Sequence, residues 1–167
     1  MADAALVALA ERLQGICLGR GVTVATAESC TGGLIAEAIT AVPGSSGYFL
    51  GAIVAYADAV KAGTLGVPAS VLAAHGAVSA QVALAMAAGA RDRLGSTMAI
   101  SVTGIAGPDG GSEAKPVGLT YVGLAAPGEP EVRKLVFAGD RDGNRTSAAA
   151  AALEWLVEAA GRTDPGP

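Results

Sequence analysis

Cysteine, histidine and basic residues are scarce in this chain of 167 residues, and each shortage excludes a class of protein. Two cysteines and one histidine are too few for a disulfide framework or for a zinc site built from soft ligands. The 11 Lys and Arg are scattered and leave a formal net charge of −4, which argues against a nucleic-acid surface because phosphate binding needs clustered cations. No apolar run has transmembrane length, and no signal peptide is recognisable. We therefore expect a cytosolic protein that binds neither nucleic acid nor a membrane.

Aromatic residues are also few, at 4% against 51% hydrophobic residues in all, so the core must consist of Ala, Val, Leu and Ile. The length suits one domain with a substantial core, and we expect it to span residues 1–162, followed by a disordered tail at 163–167. The residue patterns predict helices at 3–19, 31–42, 58–65, 68–74, 79–94 and 140–160, and strands at 22–27, 48–56, 98–102, 117–124 and 132–137. Early β-α-β alternation followed by a late hairpin predicts an α/β fold with a mixed sheet, covered by helices on both faces.

The segment ATAESCTGG stands where the first predicted strand ends and the second helix begins. It brings two hydroxyls, a thiol and two glycines to that point, namely Ser29, Cys30, Thr31, Gly32 and Gly33. A helix N-terminus presents unpaired N–H groups and a partial positive charge, which favour an oxyanion or a phosphate. The glycines leave room for a ligand to approach the backbone. A helix cap formed by one of the two hydroxyls accounts for the same pattern without any catalytic role.

Tyr56 and Lys61 follow the second predicted strand and lie at the same edge of the sheet as Ser29, where α/β proteins hold binding crevices. These three residue types suggest a nucleophile activated without histidine: a desolvated lysine accepts the serine proton, and a tyrosine hydroxyl relays it. A strand-end tyrosine and a solvated lysine are the simpler alternatives. His75 fits a helix C-terminus better than a catalytic triad. Cys30 remains open as a thiolate nucleophile, because residue types alone do not decide between it and Ser29.

Two further segments suit a ligand. A long loop after the third predicted strand contains Thr103, Gly104 and Gly107, and its amides can bind an anion, although an ordinary connection is the alternative. The loop matches neither a P-loop nor a dinucleotide fingerprint. Arg141 and Arg145 lie one turn apart at the start of the last helix and suit a phosphate, unless they are solvated surface charges.

Six short segments along the chain, taken in order, resemble one known family. They are Ala27-Glu28-Ser29-Cys30-Thr31-Gly32-Gly33; Tyr56 with Lys61 before Leu65-Gly66-Val67; Gly76-Ala77-Val78-Ser79; Thr103-Gly104-Ile105-Ala106-Gly107-Pro108; Lys115-Pro116-Val117-Gly118; and Gly139-Asp140-Arg141. The ordered set resembles the CinA C-terminal domain family, the nicotinamide-nucleotide amidases, over about residues 5–160. Three positions depart from the family pattern: Asp58 stands where Asn is common, Gln81 where Glu is common, and Asn144 where an aliphatic residue is usual.

The resemblance implies a three-layer α/β/α sandwich, a homo-oligomer of two or more copies, and the form of the family that lacks a nucleotide-pyrophosphatase-like N-terminal domain. It also implies hydrolysis of the carboxamide of nicotinamide mononucleotide, a small-molecule nucleotide, to nicotinate mononucleotide and ammonia, without cofactor or metal. By motif position, Ser29 is the nucleophile, and Lys61 and Tyr56 activate it. Substrate contacts are expected from Cys30, Thr31, Gly32, Gly33, Thr103, Gly104, Gly107 and Arg145. A non-catalytic nucleotide-binding or regulatory module and a structural oligomerisation domain are the alternatives from other classes.

Overall fold

The computed structural model describes residues 1–164 of the chain. Its helices are α1 (Ala4–Arg20), α2 (Leu34–Thr40), α3 (Asp58–Leu65), α4 (Ala69–His75), α5 (Ala80–Leu94) and α6 (Arg141–Arg162), with a short 3-10 turn at Ser45–Gly47. Its strands are β1 (Val24–Glu28), β2 (Phe49–Val54), β3 (Met98–Gly104), β4 (Leu119–Ala125) and β5 (Glu131–Val136). None of the helices within residues 1–164 combines the length and the apolar character needed to cross a bilayer.

The five strands form one mixed sheet in the order β2-β1-β3-β4-β5. Strand β1 is parallel to both β2 and β3, whereas β4 is antiparallel to β3 and β5. Glu28, the last residue of β1, is level with Val54 of β2 and Val102 of β3. The carboxyl ends of these three strands therefore meet at one edge of the sheet.

Helices cover both faces of the sheet, which confirms the predicted three-layer α/β/α sandwich. Side chains alternate along a strand, so Val24 and Ile100 face the layer formed by α1, α2 and α6, which includes the buried Trp155. Ala25 and Ala99 face the other layer, formed by α3, α4 and α5. Most core side chains are small or branched aliphatic, as expected, but the core also contains Trp155 and Tyr48, which the composition did not predict.

Small residues let α5 rest directly on the sheet. A Cβ atom at Gly123 of β4 would lie 2.5 Å from the carbonyl oxygen of Ala83 in α5. The hydroxyl of Ser101 in β3 donates to the same oxygen at 2.6 Å. A larger side chain at Gly123 would push the helix away from the sheet, because buried backbone has no room to yield.

The chain beyond α6 was predicted to be disordered from residue 163. Thr163 is buried, its hydroxyl donates to Ala159, and its carbonyl oxygen accepts from Arg20. Residues 165–167 lie outside the described residues, and for them the tail remains a prediction.

Candidate active site

Ser29 follows β1 directly and continues its pairing with β3. Its N–H donates to the carbonyl oxygen of Val102 at 2.9 Å, and its own carbonyl oxygen accepts from Gly32 at 3.0 Å. A tight turn therefore begins at Ser29, and α2 starts only at Leu34, three residues later than predicted. The turn requires positive φ angles of 62° at Gly32 and 105° at Gly33, a conformation that favours glycine. Ser29 is 8% exposed at the carboxyl edge of the sheet.

The N-terminus of α2 is capped from the preceding strand. No hydroxyl caps this helix; instead, the fully buried carboxylate of Glu28 accepts from the N–H groups of Gly33, Ile35 and Ala36 at 3.0–3.2 Å. The same carboxylate lies 3.4 Å from the hydroxyl of Thr26. Sequence reasoning assigned no role to Glu28, although a lone charge closing the strand VATAE was a usable signal. Glu28 therefore ties the end of β1 to the start of α2, and the turn that carries Ser29 lies between them.

Lys61 is the partner of Ser29. Although it is a lysine, it is only 1% exposed, and its Nζ lies 3.0 Å from the Ser29 Oγ and 2.9 Å from the carbonyl oxygen of Tyr56. Burial lowers the pKa of Lys61, and the Asp58 carboxylate, 3.9 Å from Nζ, opposes that shift. A lysine whose ammonium is desolvated can release its proton and then accept one from the serine hydroxyl.

Tyr56 holds Lys61 through its backbone, while its side chain points elsewhere. The ring is 62% exposed, and its hydroxyl accepts a hydrogen bond from Arg141 at 3.2 Å. Neither Ser29 nor Lys61 is a hydrogen-bond partner of that hydroxyl within the described residues. The proton relay expected of Tyr56 therefore remains a prediction, whereas its carbonyl oxygen has a visible role in placing Lys61.

Cys30 lies next to Ser29 but is not paired with the base. Its side chain is 7% exposed, and burial raises the pKa of the thiol to about 11. It packs against Gly104, where a Cβ atom would lie 3.2 Å from the sulfur. A protonated, buried thiol is a poor nucleophile, so the geometry favours Ser29 over Cys30.

Two N–H groups in this turn remain available to an oxyanion. Gly32 donates to Ser29 and Gly33 donates to Glu28. The N–H groups of Cys30 and Thr31 donate to no oxygen within residues 1–164. They also lower the pKa of the neighbouring thiol, against the larger effect of burial.

Of the predicted loop residues, Thr103 and Gly104 line the recess that contains Lys61, whereas Gly107 does not. The hydroxyl of Thr103 donates to the carbonyl oxygen of Ala77 at 2.9 Å, which fastens the segment before α5 to β3. Gly107 has a φ of 84°, and a Cβ atom there would lie 2.5 Å from Val117. The carbonyl oxygen of Gly107 accepts from Arg141 at 2.7 Å. The loop is therefore an ordered part of the site.

Arg145 supports the serine turn from behind. Its Nε donates to the carbonyl oxygen of Cys30 and its terminal nitrogen to that of Thr31, both at 3.1 Å. Arg145 lines neither recess at this edge of the sheet, whereas Arg141 lines both. Asn144 anchors the same helix end, because its amide nitrogen donates to Ala106 at 3.0 Å. Arg141 therefore lines the recesses and Arg145 does not, while the predicted substrate contact of Arg145 remains a prediction.

Two adjoining recesses open beside Ser29. The smaller, of about 220 Å³, contains Ser29 and Lys61; the larger, of about 540 Å³, lies at the start of α6 and includes Pro108 and Val117. Ala106 and Arg141 line both. His75 is exposed and lines neither. Within residues 1–164, no three His, Cys, Asp or Glu side chains come close enough together to hold a metal ion.

Comparisons with known proteins agree on one family. The model of the CinA C-terminal domain matches residues 6–160. A CinA-like protein of Geobacter sulfurreducens is 57% identical over 137 residues, which cover 82% of this chain and 33% of that protein. A CinA-like protein of Myxococcus xanthus is 53% identical over 137 residues, which cover 81% of this chain and 32% of that protein. The chain thus spans about a third of the length of these curated relatives.

Solved structures show the same likeness over nearly the whole chain. The competence/damage inducible protein CihA from Agrobacterium tumefaciens has a TM-score of 0.91 at 40% identity, covering 95% of this chain and 97% of that one. A CinA superfamily protein from Klebsiella pneumoniae has a TM-score of 0.89 at 32% identity, covering 93% and 97%.

Proposed function

The chain belongs to the CinA C-terminal domain family, and we propose that it is an amidase that hydrolyses the carboxamide of nicotinamide mononucleotide to nicotinate mononucleotide and ammonia. One observation carries the proposal: a lysine that is 1% exposed lies 3.0 Å from the hydroxyl of Ser29 at the floor of a recess. Burying a charged lysine is costly, so a lysine at such a position is seldom found without a specific role. A serine–lysine pair beside free N–H groups suits acyl transfer.

The steps follow from these contacts. The Ser29 Oγ attacks the carboxamide carbon while neutral Lys61 accepts the hydroxyl proton. The N–H groups of Cys30 and Thr31 stabilise the oxyanion, a contribution of about 3–4 kcal/mol per donor in comparable sites. The Lys61 ammonium then returns its proton to the leaving nitrogen, which departs as ammonia. Water then attacks the acyl-enzyme while Lys61 again accepts a proton. Lys61 passes this proton to the departing Ser29 Oγ, and the acid is released and ionises to the carboxylate.

The two recesses suit the two parts of a nucleotide. The pyridine carboxamide fits the smaller recess beside Ser29, and the ribose phosphate extends into the larger one past Arg141. Two carboxylates line the larger recess as well: Asp140 accepts from Gly143 at 2.8 Å, and the exposed Asp142 lies 3.7 Å from Arg145. Among the described residues, Arg141 is the one cation that lines both recesses, and its guanidinium supports the choice of a phosphorylated substrate.

Ammonia release tests the proposal. Wild-type protein should release ammonia from the mononucleotide faster than from its riboside or from free nicotinamide. Ser29→Ala should abolish release, whereas Cys30→Ala, the matched control on the neighbouring residue, should retain most of it. An inactive Cys30→Ala beside an active Ser29→Ala would assign the chemistry to the thiol. Binding of the mononucleotide without ammonia release would favour a non-catalytic nucleotide-binding module.

The assembly implied by the resemblance and the cytosolic location expected from the composition remain predictions. Light scattering would measure the number of copies in solution. A structural oligomerisation domain would assemble but would bind no nucleotide, which separates that alternative from the amidase.

A further inference from the structure

Asp58 has no part in the steps above, yet its carboxylate lies inside the site. It is the first residue of α3, its side chain is 64% exposed, and its Oδ1 lies 3.9 Å from the Lys61 Nζ. It is the one carboxylate among the described residues that line the smaller recess. A substrate entering that recess therefore meets a single negative charge.

The charge on Asp58 is balanced in only one protonation state of the site. A protonated Lys61 compensates it, but Lys61 must be neutral to accept the serine proton. The other cation of the recess, Arg141, is directed to Gly107 and to the hydroxyl of Tyr56. Both of these partners are neutral, so Arg141 keeps its charge for the ribose phosphate. Once Lys61 is neutral, Asp58 has no cation within 4 Å among the described residues.

The other groups that face Lys61 do not change this balance. The Cys30 thiol is protonated, because burial raises its pKa to about 11, and Tyr56 presents a neutral carbonyl oxygen. Helix α5 packs against α3, but Asp92 and Arg93 lie near Leu65 and Gly66, at the opposite end of α3.

We propose that Asp58 makes the site selective for carboxamides whose ring carries a positive charge, such as a quaternary pyridinium, and that this ring competes with protonated Lys61 for the same carboxylate. This inference rests on the proposed amidase function and specifies which amides it takes. An incoming pyridinium replaces the lysine ammonium as the partner of Asp58. Binding of the cationic ring therefore favours the neutral lysine that the reaction needs.

Two small probes test the selectivity without any turnover. 1-Methylnicotinamide is a cationic pyridinium carboxamide, and nicotinamide is its neutral counterpart. Calorimetry should show that Asp58→Asn weakens binding of the cation about two- to fivefold, the range for a partly exposed ion pair, and leaves the neutral amide unchanged. Asp58→Glu should retain the preference. Glu11→Gln, an exposed change of the same charge on α1, should have no effect.

The pH dependence gives an independent measurement. A fluorophosphonate reacts with an activated serine, so its rate of labelling Ser29 should rise with pH as Lys61 loses its proton. The Asp58 carboxylate raises the pKa of Lys61 against the larger effect of burial. The rise in labelling should therefore move to lower pH in Asp58→Asn and stay in place in Glu11→Gln.

Equal weakening of both probes in Asp58→Asn, or no change for the cation, would overturn the inference. An unmoved labelling profile would count against the competition with Lys61. If the cation binds through Asp58 but wild-type protein releases no ammonia from the mononucleotide, the charge selectivity stands and the amidase function fails.

Discussion

Replacing Glu28 with glutamine should destabilise the protein strongly, although the two side chains have nearly the same size and shape. The carboxylate is fully buried, and its two oxygens divide the donors between them. Oε2 accepts from Gly33 and Ile35, while Oε1 accepts from Ala36 and from the hydroxyl of Thr26. A glutamine side chain has one carbonyl oxygen, so in either orientation its NH₂ group faces at least one backbone N–H.

The magnitude follows from the donors left without an acceptor. Each buried N–H group without a partner costs about 1–3 kcal/mol, and hydrogen bonds to a charged acceptor are stronger than those to an amide. We therefore expect Glu28→Gln to lower the free energy of unfolding by about 2–4 kcal/mol. For a chain of this size, that corresponds to a decrease in Tm of roughly 4–16 °C.

Urea and thermal unfolding measure this effect directly, and α2 supplies a matched control. Glu37 is an exposed residue in the first turn of the same helix, so Glu37→Gln should cost less than about 1 kcal/mol. Labelling of Ser29 by a fluorophosphonate should also slow in folded Glu28→Gln, because the turn loses its support. Ordinary surface substitutions change the free energy of unfolding by about 0.5 kcal/mol or less. If the free energies of unfolding of the two variants differ by no more than that, the capping role of Glu28 is refuted.

The other predictions concern chemistry and recognition. Lys61→Met should reduce ammonia release to a very low rate and remove the rise of kcat/KM with pH. Burial lowers the pKa of Lys61, and only the neutral amine accepts a proton. Near-native turnover would reject Lys61 as the base. Arg141→Ala should raise KM for the mononucleotide roughly tenfold to a hundredfold, the range for a charge-assisted hydrogen bond, with little effect on the riboside. Arg145→Ala should impair both substrates equally, since its guanidinium holds the turn at Cys30 and Thr31; a selective loss for the mononucleotide would instead place the phosphate at Arg145.

Local patterns in the sequence predicted most of the fold. Helix α3 was predicted with the bounds observed, and the sheet has the mixed arrangement expected from the order of elements. The sequence placed Ser29 at the end of the first strand and Lys61 just after the second, at the same edge of the sheet, and the structure brings the two side chains into contact. These features depend on periodicity and chain order, which a sequence records directly.

What the sequence did not reveal depends on long-range packing. Hydroxyls before a helix resemble a cap, yet Glu28 supplies the cap from the preceding strand, and only the fold brings the carboxylate there. Arg141 and Arg145 lie one turn apart, so sequence spacing does not separate their roles. The rotation of α6 about its axis does so, and buried contacts such as that of Asn144 with Ala106 set this rotation.

The contacts of Arg145 with the serine turn have a consequence for how the site assembles. They join segments that lie 115 and 114 residues apart in the chain. Closing so long a loop costs conformational entropy and slows folding. The carbonyl groups of Cys30 and Thr31 therefore acquire this partner only after α6 docks on the sheet. Reactivity of Ser29 should therefore fall in variants that loosen the docking of α6.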